Sequence, residues 1–210
     1  MIRTLIADDH EVVRQGVKRI IEDTPDLWVT GEAENEQAVI EQLSTQTWDI
    51  VLLDISMPGR GGLEVLQYIK QTHARLPVLM FSMHPVEQYA VRAFKAGAAG
   101  YLSKDCIAEE LVGAIRKVAR GGRYISPSVS EHLALEVTRD SDQPLHQSLS
   151  NREFQVLCLF GAGKTVTEIA ETLCLSVKTI STYRSRILEK MCLNTTAELI
   201  RYAVQHQLDD

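Results

Sequence analysis

Long apolar runs are missing from this chain. No stretch of its 210 residues approaches the ~20 that span a bilayer, so no transmembrane helix and no membrane partner are expected. The opening residues, MIRTLIADDH, hold too short an apolar segment for a secretory signal, and acids follow at once. A cytoplasmic protein is expected. Cysteine is scarce. The four, at 106, 158, 174 and 192, form no C-x-x-C pair, which leaves no zinc knuckle or redox couple to argue for. Three of them lie inside apolar helical patterns, so buried reduced thiols are expected. Six prolines and twelve glycines are too few for a low-complexity chain. Positive charge is not in excess either. The net charge of −6 argues against a uniformly basic nucleic-acid binder.

What is present is ordinary globular composition, 45% hydrophobic and 24% charged, in a length that suits two modest domains. The charge is unevenly spread. Residues 149–210 hold seven Lys/Arg and seven Asp/Glu, while residues 1–148 hold the other 15 and 21 and carry the whole −6.

The first half alternates short apolar runs with helical patterns. Strands are expected at Ile2–Ala7, Trp28–Glu32, Ile50–Leu53, Val78–Phe81 and Gly100–Leu102. Helices are expected at Glu11–Glu22, Asn35–Leu43, Gly62–Lys70, Val86–Ala96 and Glu109–Arg120, the first with Val12, Val13, Val17, Ile20 and Ile21 on one stripe. Strands this apolar are covered on both faces, which predicts a doubly wound (βα)5 parallel sheet over residues 1–122. Residues 123–148 read as a linker. It holds a helix opening at Ser126-Pro127 and running to Val137, then a polar stretch, Thr138–Ser148. Residues 149–210 read as a small all-α unit with helices near 151–161, 166–173, 177–191 and 196–206.

In an open parallel sheet, ligands sit beyond the carboxyl ends of the strands. Here those ends carry Asp8 and Asp9, Asp54, Ser82 and Lys104. Crowded carboxylates repel one another unless a hard cation joins them, and Mg²⁺ suits a few carboxylates plus water. An Asp beside Mg²⁺, with a hydroxyl and an ammonium at hand, has the makings of a phosphoryl acceptor. His10 and His84 flank the pocket mouth and read as surface loop histidines.

The segments IADDH, DIVLLDISMPGRGGLEVL, PVLMFS and AGAAGYLSK resemble the receiver domain of two-component response regulators, almost continuously over residues 1–120. The resemblance implies Asp54 as phosphoacceptor. It implies Mg²⁺ held by Asp9, Asp54 and the backbone carbonyl of Ser56, with Asp8 bridging through water. Ser82 and Lys104 would take the phosphoryl oxygens. Tyr101 would be the aromatic that moves when Ser82 is drawn inward; a half-buried edge-strand aromatic is the plainer account of the same residue. Asp105 stands where many receivers have proline, so no cis peptide is expected there.

In the second half, Gly161-Ala-Gly-Lys-Thr165 invites a P-loop reading. The first glycine of that motif would fall on Cys158, and the preceding segment is helical rather than a strand. A glycine turn between helices is expected instead. Ser150 with Glu153 has capping-box spacing, Thr165 or Thr167 starts the next helix, and Ser176 caps a longer one. That is helix-turn-helix spacing, whose second helix can enter a major groove. On that helix Val177, Ile180, Ile187 and Met191 make an apolar stripe. Lys178, Thr179, Ser181, Thr182 and Ser185 line the other side, flanked by Arg184, Arg186 and Lys190. Such a face suits phosphate and base-edge contact with double-stranded DNA.

The run LSNREFQVLCLFGAGKTVTEIAETLCLSVKTISTYRSRILEKM resembles the LuxR-type helix-turn-helix. Joined to a receiver, this is the layout of NarL/FixJ-type regulators, and KTISTYRSRILEKM is most like the GacA/UvrY branch. Ser181 and Tyr183 depart from the Lys and His common there, so base preference does not carry over. The resemblance implies a transcription regulator rather than an enzyme, phosphorylated by a sensor histidine kinase and acting as a homodimer. Ala197, Ile200 and Val204 match the dimerising helix, although packing inside one subunit competes for them. A DNA-binding regulator with a vestigial receiver is the alternative.

Overall fold

The computed structural model describes all residues except 59–60, 85, 127–129, 131–143 and 209–210, together with the backbone alone of Val86 and Glu87. The chain divides into two compact units, Met1–Ala134 and Leu135–Asp210.

Unit one follows the expected alternation. Its strands are β1 (Ile2–Ala7), β2 (Leu27–Ala33), β3 (Ile50–Leu53), β4 (Val78–Ser82) and β5 (Gly100–Ser103). Its helices are α1 (Glu11–Glu22), α2 (Glu36–Thr45), α3 (Gly62–Thr72), α4 (Val86–Lys95) and α5 (Ala108–Ala119). The strands pair in parallel in the order β2-β1-β3-β4-β5. On one face Val17 and Ile21 of α1, with Leu111, Ala114, Ile115 and Val118 of α5, cover Ile6, Leu52, Leu79, Phe81 and Leu102. Strand alternation turns Leu5, Val51, Leu53, Val78 and Met80, all buried, to the other face, where α2, α3 and α4 lie side by side. Val12, expected in the apolar stripe of α1, is 85% exposed. It lies in the first turn of α1, where only Val17 and Ile21 farther along are buried.

Unit two opens with a 3-10 turn, Leu145–Ser148, followed by α6 (Asn151–Gly161), α7 (Val166–Thr172), α8 (Val177–Lys190) and α9 (Thr196–Gln205). The polar stretch expected to be linker up to Ser148 is thus structured from Pro144 onward. Pro144 presets the turn, and Tyr202 of α9 meets His146 Nδ1 at 3.0 Å. The expected helix from Ser126 to Val137, and most of the expected polar linker, lie outside the described residues. Ser150, Thr165 and Thr195 start their helices with full capping boxes, and Ser176 caps α8. Phe154, Leu157, Phe160, Ile169, Ile180, Ile187 and Leu199 form the core.

Helix ends account for the cysteines. Cys158 is buried as expected, and Cys106 is half-buried outside any helix. Cys174 and Cys192 are exposed, each in the left-handed conformation one residue past a helix cap. Their amides reach back to Glu171 O and Glu189 O, and the next amides to Ala170 O and Leu188 O, the paired bonds of a Schellman turn. Gly163 fills the same position after α6, with Lys164 N bonding Leu159 O, which is the turn expected in place of a P-loop.

Candidate functional site

The strand order reverses between β1 and β3, and a crevice opens beyond their carboxyl ends. The sheet ladder carries the acids there, with Asp8 N bonding Ala33 O and Asp54 N bonding Ala7 O. Gly62 opens α3 against the Asp54 backbone. A Cβ at Gly62 would come within 1.9 Å of the Asp54 carbonyl oxygen.

Asp8 and Asp54 are buried, at 1% and 2% exposure. Asp8 Oδ1 accepts from His10 N and Asp54 Oδ1 from Ile55 N. Lys104, from the end of β5, sets its ammonium 2.6 Å from Asp8 Oδ2 and 3.2 Å from Asp54 Oδ2. Neither Oδ2 has a hydrogen bond of good geometry. Two buried carboxylates thus share one ammonium, which cannot neutralise both. Burial pushes the Asp54 carboxyl above its usual range, Lys104 pulls it down, and Asp8 pushes it up again. Asp9, Asp8, Asp54 and His10 present ligand atoms all within 4.8 Å of one another. Hard oxygen donors in a group this tight fit a Mg²⁺-sized cation.

Ser82 is fully buried and its hydroxyl accepts from His84 N at 3.2 Å. Tyr101 is fully buried as well, not half-buried, and its hydroxyl donates to His84 O at 2.9 Å. Ser56 is exposed, and its hydroxyl meets His84 Nε2 across the pocket mouth. Residues expected to be bland loop histidines therefore line the site: His84 joins Ser56, Ser82 and Tyr101, while His10 Nδ1 lies 2.8 Å from Asp9. Single loop residues have no periodicity to announce such contacts. Among the described residues no peptide bond is cis, so the Lys104–Asp105 bond is trans.

In unit two, Lys178, Thr182, Ser185 and Arg186 are exposed on α8, and Thr179, Ser181 and Arg184 are half-buried. The hydroxyls of Ser181, Thr182 and Ser185 donate to the carbonyls of Val177, Lys178 and Ser181. Val177, expected inward, is 49% exposed at the helix start. Lys190 is not a free surface cation. Its ammonium is 2.6 Å from Glu153, which is buried in α6. Arg152, not singled out by the sequence, is also buried and donates to Leu173 O. On α9, Ala197 and Val204 face solvent and Ile200 is half-buried, while Leu199 and Ala203 are the core residues. Packing inside the subunit therefore does not account for Ala197 and Val204.

Residues 4–116 match the response regulator receiver domain family, and residues 147–203 match the bacterial regulatory proteins of the luxR family. The chain belongs to the response regulators. It is 39% identical to response regulator UvrY of Escherichia coli (strain K12) over 209 residues, 99% of this chain and 96% of that protein. Against response regulator GacA of Pseudomonas aeruginosa it is 38% identical over 212 residues, 100% of this chain and 99% of that one. Among solved structures it resembles RcsB of Salmonella enterica serovar Typhimurium, captured on a promoter with the phosphomimetic BeF3-. The TM-score is 0.66 at 26% identity, covering 96% of this chain and 98% of that chain. This response regulator thus joins a receiver to a LuxR-type DNA-binding domain, and the family regulates transcription.

Proposed function

We propose that Asp54 is the phosphoacceptor and that its phosphorylation controls DNA binding by α8. The observation that carries the reading is the pair of buried carboxylates that share a single ammonium. Asp54 attacks phosphorus in line. A bond forms from its carboxylate oxygen to phosphorus, and the bond to the donor's leaving group breaks with its electron pair going to that group. The donor is a sensor histidine kinase, or acetyl phosphate in vitro. Lys104 and Ser82 take the phosphoryl oxygens, and Tyr101 follows Ser82 through His84. Asp8, Asp9, Asp54 and the Ser56 carbonyl would hold Mg²⁺, which would supply charge neutralisation for the transferring group. The receiver takes up a phosphoryl group and loses it by hydrolysis.

On α8, Lys178 and Arg186 meet phosphates, with Arg184 beside them. Thr179, Ser181, Thr182 and Ser185 form a low ridge facing base edges in the major groove. Lys190 is taken out of this set by Glu153. Ala197, Ile200 and Val204 form the surface on which two subunits pair. Residues 1–122 do the receiver's work and residues 149–210 bind DNA, and the protein acts in the cytoplasm. RcsB, bound to a promoter with a phosphomimetic, supports the reading by likeness.

The test is intact-mass analysis after acetyl phosphate and Mg²⁺. Wild type gains one phosphoryl group and Asp54→Asn gains none. Stoichiometric labelling of Asp54→Asn refutes the assignment and leaves a vestigial pocket.

A further inference from the structure

Helix α8 contains no Asn or Gln, the side chains that pair bidentately with adenine. Its long cations have other tasks. Lys178 and Arg186 are assigned to phosphates above, Arg184 is half-buried, and Lys190 is held by Glu153. Thr179 is engaged at the helix start, where its hydroxyl meets that of Ser176 at 2.8 Å. The base-facing side is left to Ser181, Thr182 and Ser185, which lie within about 100° of the helix circumference. Of these, Thr182 and Ser185 are exposed and Ser181 is half-buried.

All three hydroxyls point their protons back into the helix. Ser181 Oγ donates to Val177 O at 2.9 Å, Thr182 Oγ1 to Lys178 O at 3.0 Å, and Ser185 Oγ to Ser181 O at 3.1 Å. A hydroxyl has one proton and two lone pairs. With the proton committed to the preceding turn, each group offers the groove acceptor capacity alone. In the major groove that polarity is a selection. Adenine N6 and cytosine N4 are the donors there, whereas guanine shows the acceptors O6 and N7 and thymine adds a methyl group. An acceptor set against O6 or N7 gains no bond and leaves both desolvated groups unpaired. Thr182 has a second handle, because its methyl is an apolar contact for a thymine methyl.

We propose that α8 reads DNA through acceptors: Thr182 and Ser185 select bases that present an exocyclic amino group, adenine N6 or cytosine N4, and reject guanine at the contacted positions, with the Thr182 methyl favouring an adjacent thymine. The inference rests on the reading that α8 enters the major groove, and it names the chemistry recognised there.

The experiment uses the full-length chain treated with acetyl phosphate and Mg²⁺. Duplexes are selected from a randomised library, and each adenine and cytosine of the selected site is replaced in turn by its analogue lacking the amino group. At the contacted positions wild type should lose about fivefold in affinity, the worth of one neutral hydrogen bond. Ser185→Ala and Thr182→Val should each show that loss on the unmodified duplex and no further loss on one analogue. Uracil in place of the adjacent thymine should weaken wild type and Thr182→Val, which keep the methyl, and leave Thr182→Ser unaffected. Should one variant fail to fold by calorimetry, the other decides with the same analogues. The proposal is overturned if no amino group is coupled to either residue. It is overturned equally if 7-deazaguanine weakens wild type but not Ser185→Ala, because that hydroxyl would then be donating to guanine N7. A chain that selects no duplex, or whose Lys178→Ala variant binds as wild type does, refutes the parent reading and this one with it. Selection with the expected dependence on Lys178 confines a failure to the acceptor reading.

Discussion

Lys190→Ala separates a structural lysine from a nucleic-acid contact. Glu153 is 3% exposed, and burial alone would raise its pKa. The Lys190 ammonium, with the amide and hydroxyl of Ser150, holds it below the usual carboxylate range instead. Removing Lys190 leaves a buried carboxylate short of one partner, a loss of about 1–3 kcal/mol. The Lys190 side chain is 43% exposed, so solvent screens part of the interaction and the lower end, about 1 kcal/mol, applies. In a unit of this size that lowers Tm by roughly 4–8 °C. The pH dependence has a fixed sign. A depressed folded pKa stabilises above the unfolded value of 4.5, and that stability is lost as pH falls through the folded pKa. The wild-type advantage over Lys190→Ala is therefore full at pH 7 and shrinks in acid. Calorimetry across pH, with hydrogen exchange in α6 to locate the transition, measures it. In parallel, Lys178→Ala should leave Tm unchanged and lower the slope of log affinity against log salt by about 0.9, one phosphate contact. A reduced salt slope in Lys190→Ala with unchanged stability would refute this assignment of roles.

Asp54→Asn should raise Tm at pH 7. The folded pKa of Asp54 is raised, so its ionised form costs stability as pH rises, and calorimetry should find the gain disappearing below the unfolded value of 3.8. Mg²⁺ should stabilise wild type by about 2.7 kcal/mol at one hundred times its Kd, and Asp9→Ala should abolish most of that shift in thermal melts. Gly62→Ala should destabilise unit one by about 3 kcal/mol in urea unfolding, because its Cβ collides with the backbone of Asp54 rather than with a movable side chain. Val204→Asp should weaken the phosphorylated dimer in sedimentation while leaving the monomer's Tm unchanged, since Val204 is 49% exposed.

Periodicity made most of the architecture legible. The apolar runs of β3 and β4 are short and continuous because helices cover both faces, and that alone implies a parallel sheet. Hydroxyl and acid spacing at Ser150-Glu153 and Thr165-Glu168 marks helix starts because the bonds involved are local. The cysteines were misplaced for a different reason: Cys174 and Cys192 stand among apolar neighbours but in the turns just past the helix ends, where a left-handed residue is left exposed.

By itself, then, the sequence determined the two units, the strand ends and the acids, serine and lysine that stand on them, since each depends on residue type and short-range spacing. Only tertiary structure decided what those groups meet. Lys104 reaches Asp8 and Asp54 from the far edge of the sheet, and Lys190 reaches Glu153 from another helix, 37 residues away. His84 joins two loops, and Tyr124 pairs with Gly100 of β5 in a single bridge. Contacts of that kind form between distant parts of the chain. Their energies depend on burial and on the angle at which elements pack, and neither quantity is written in the local order of residues.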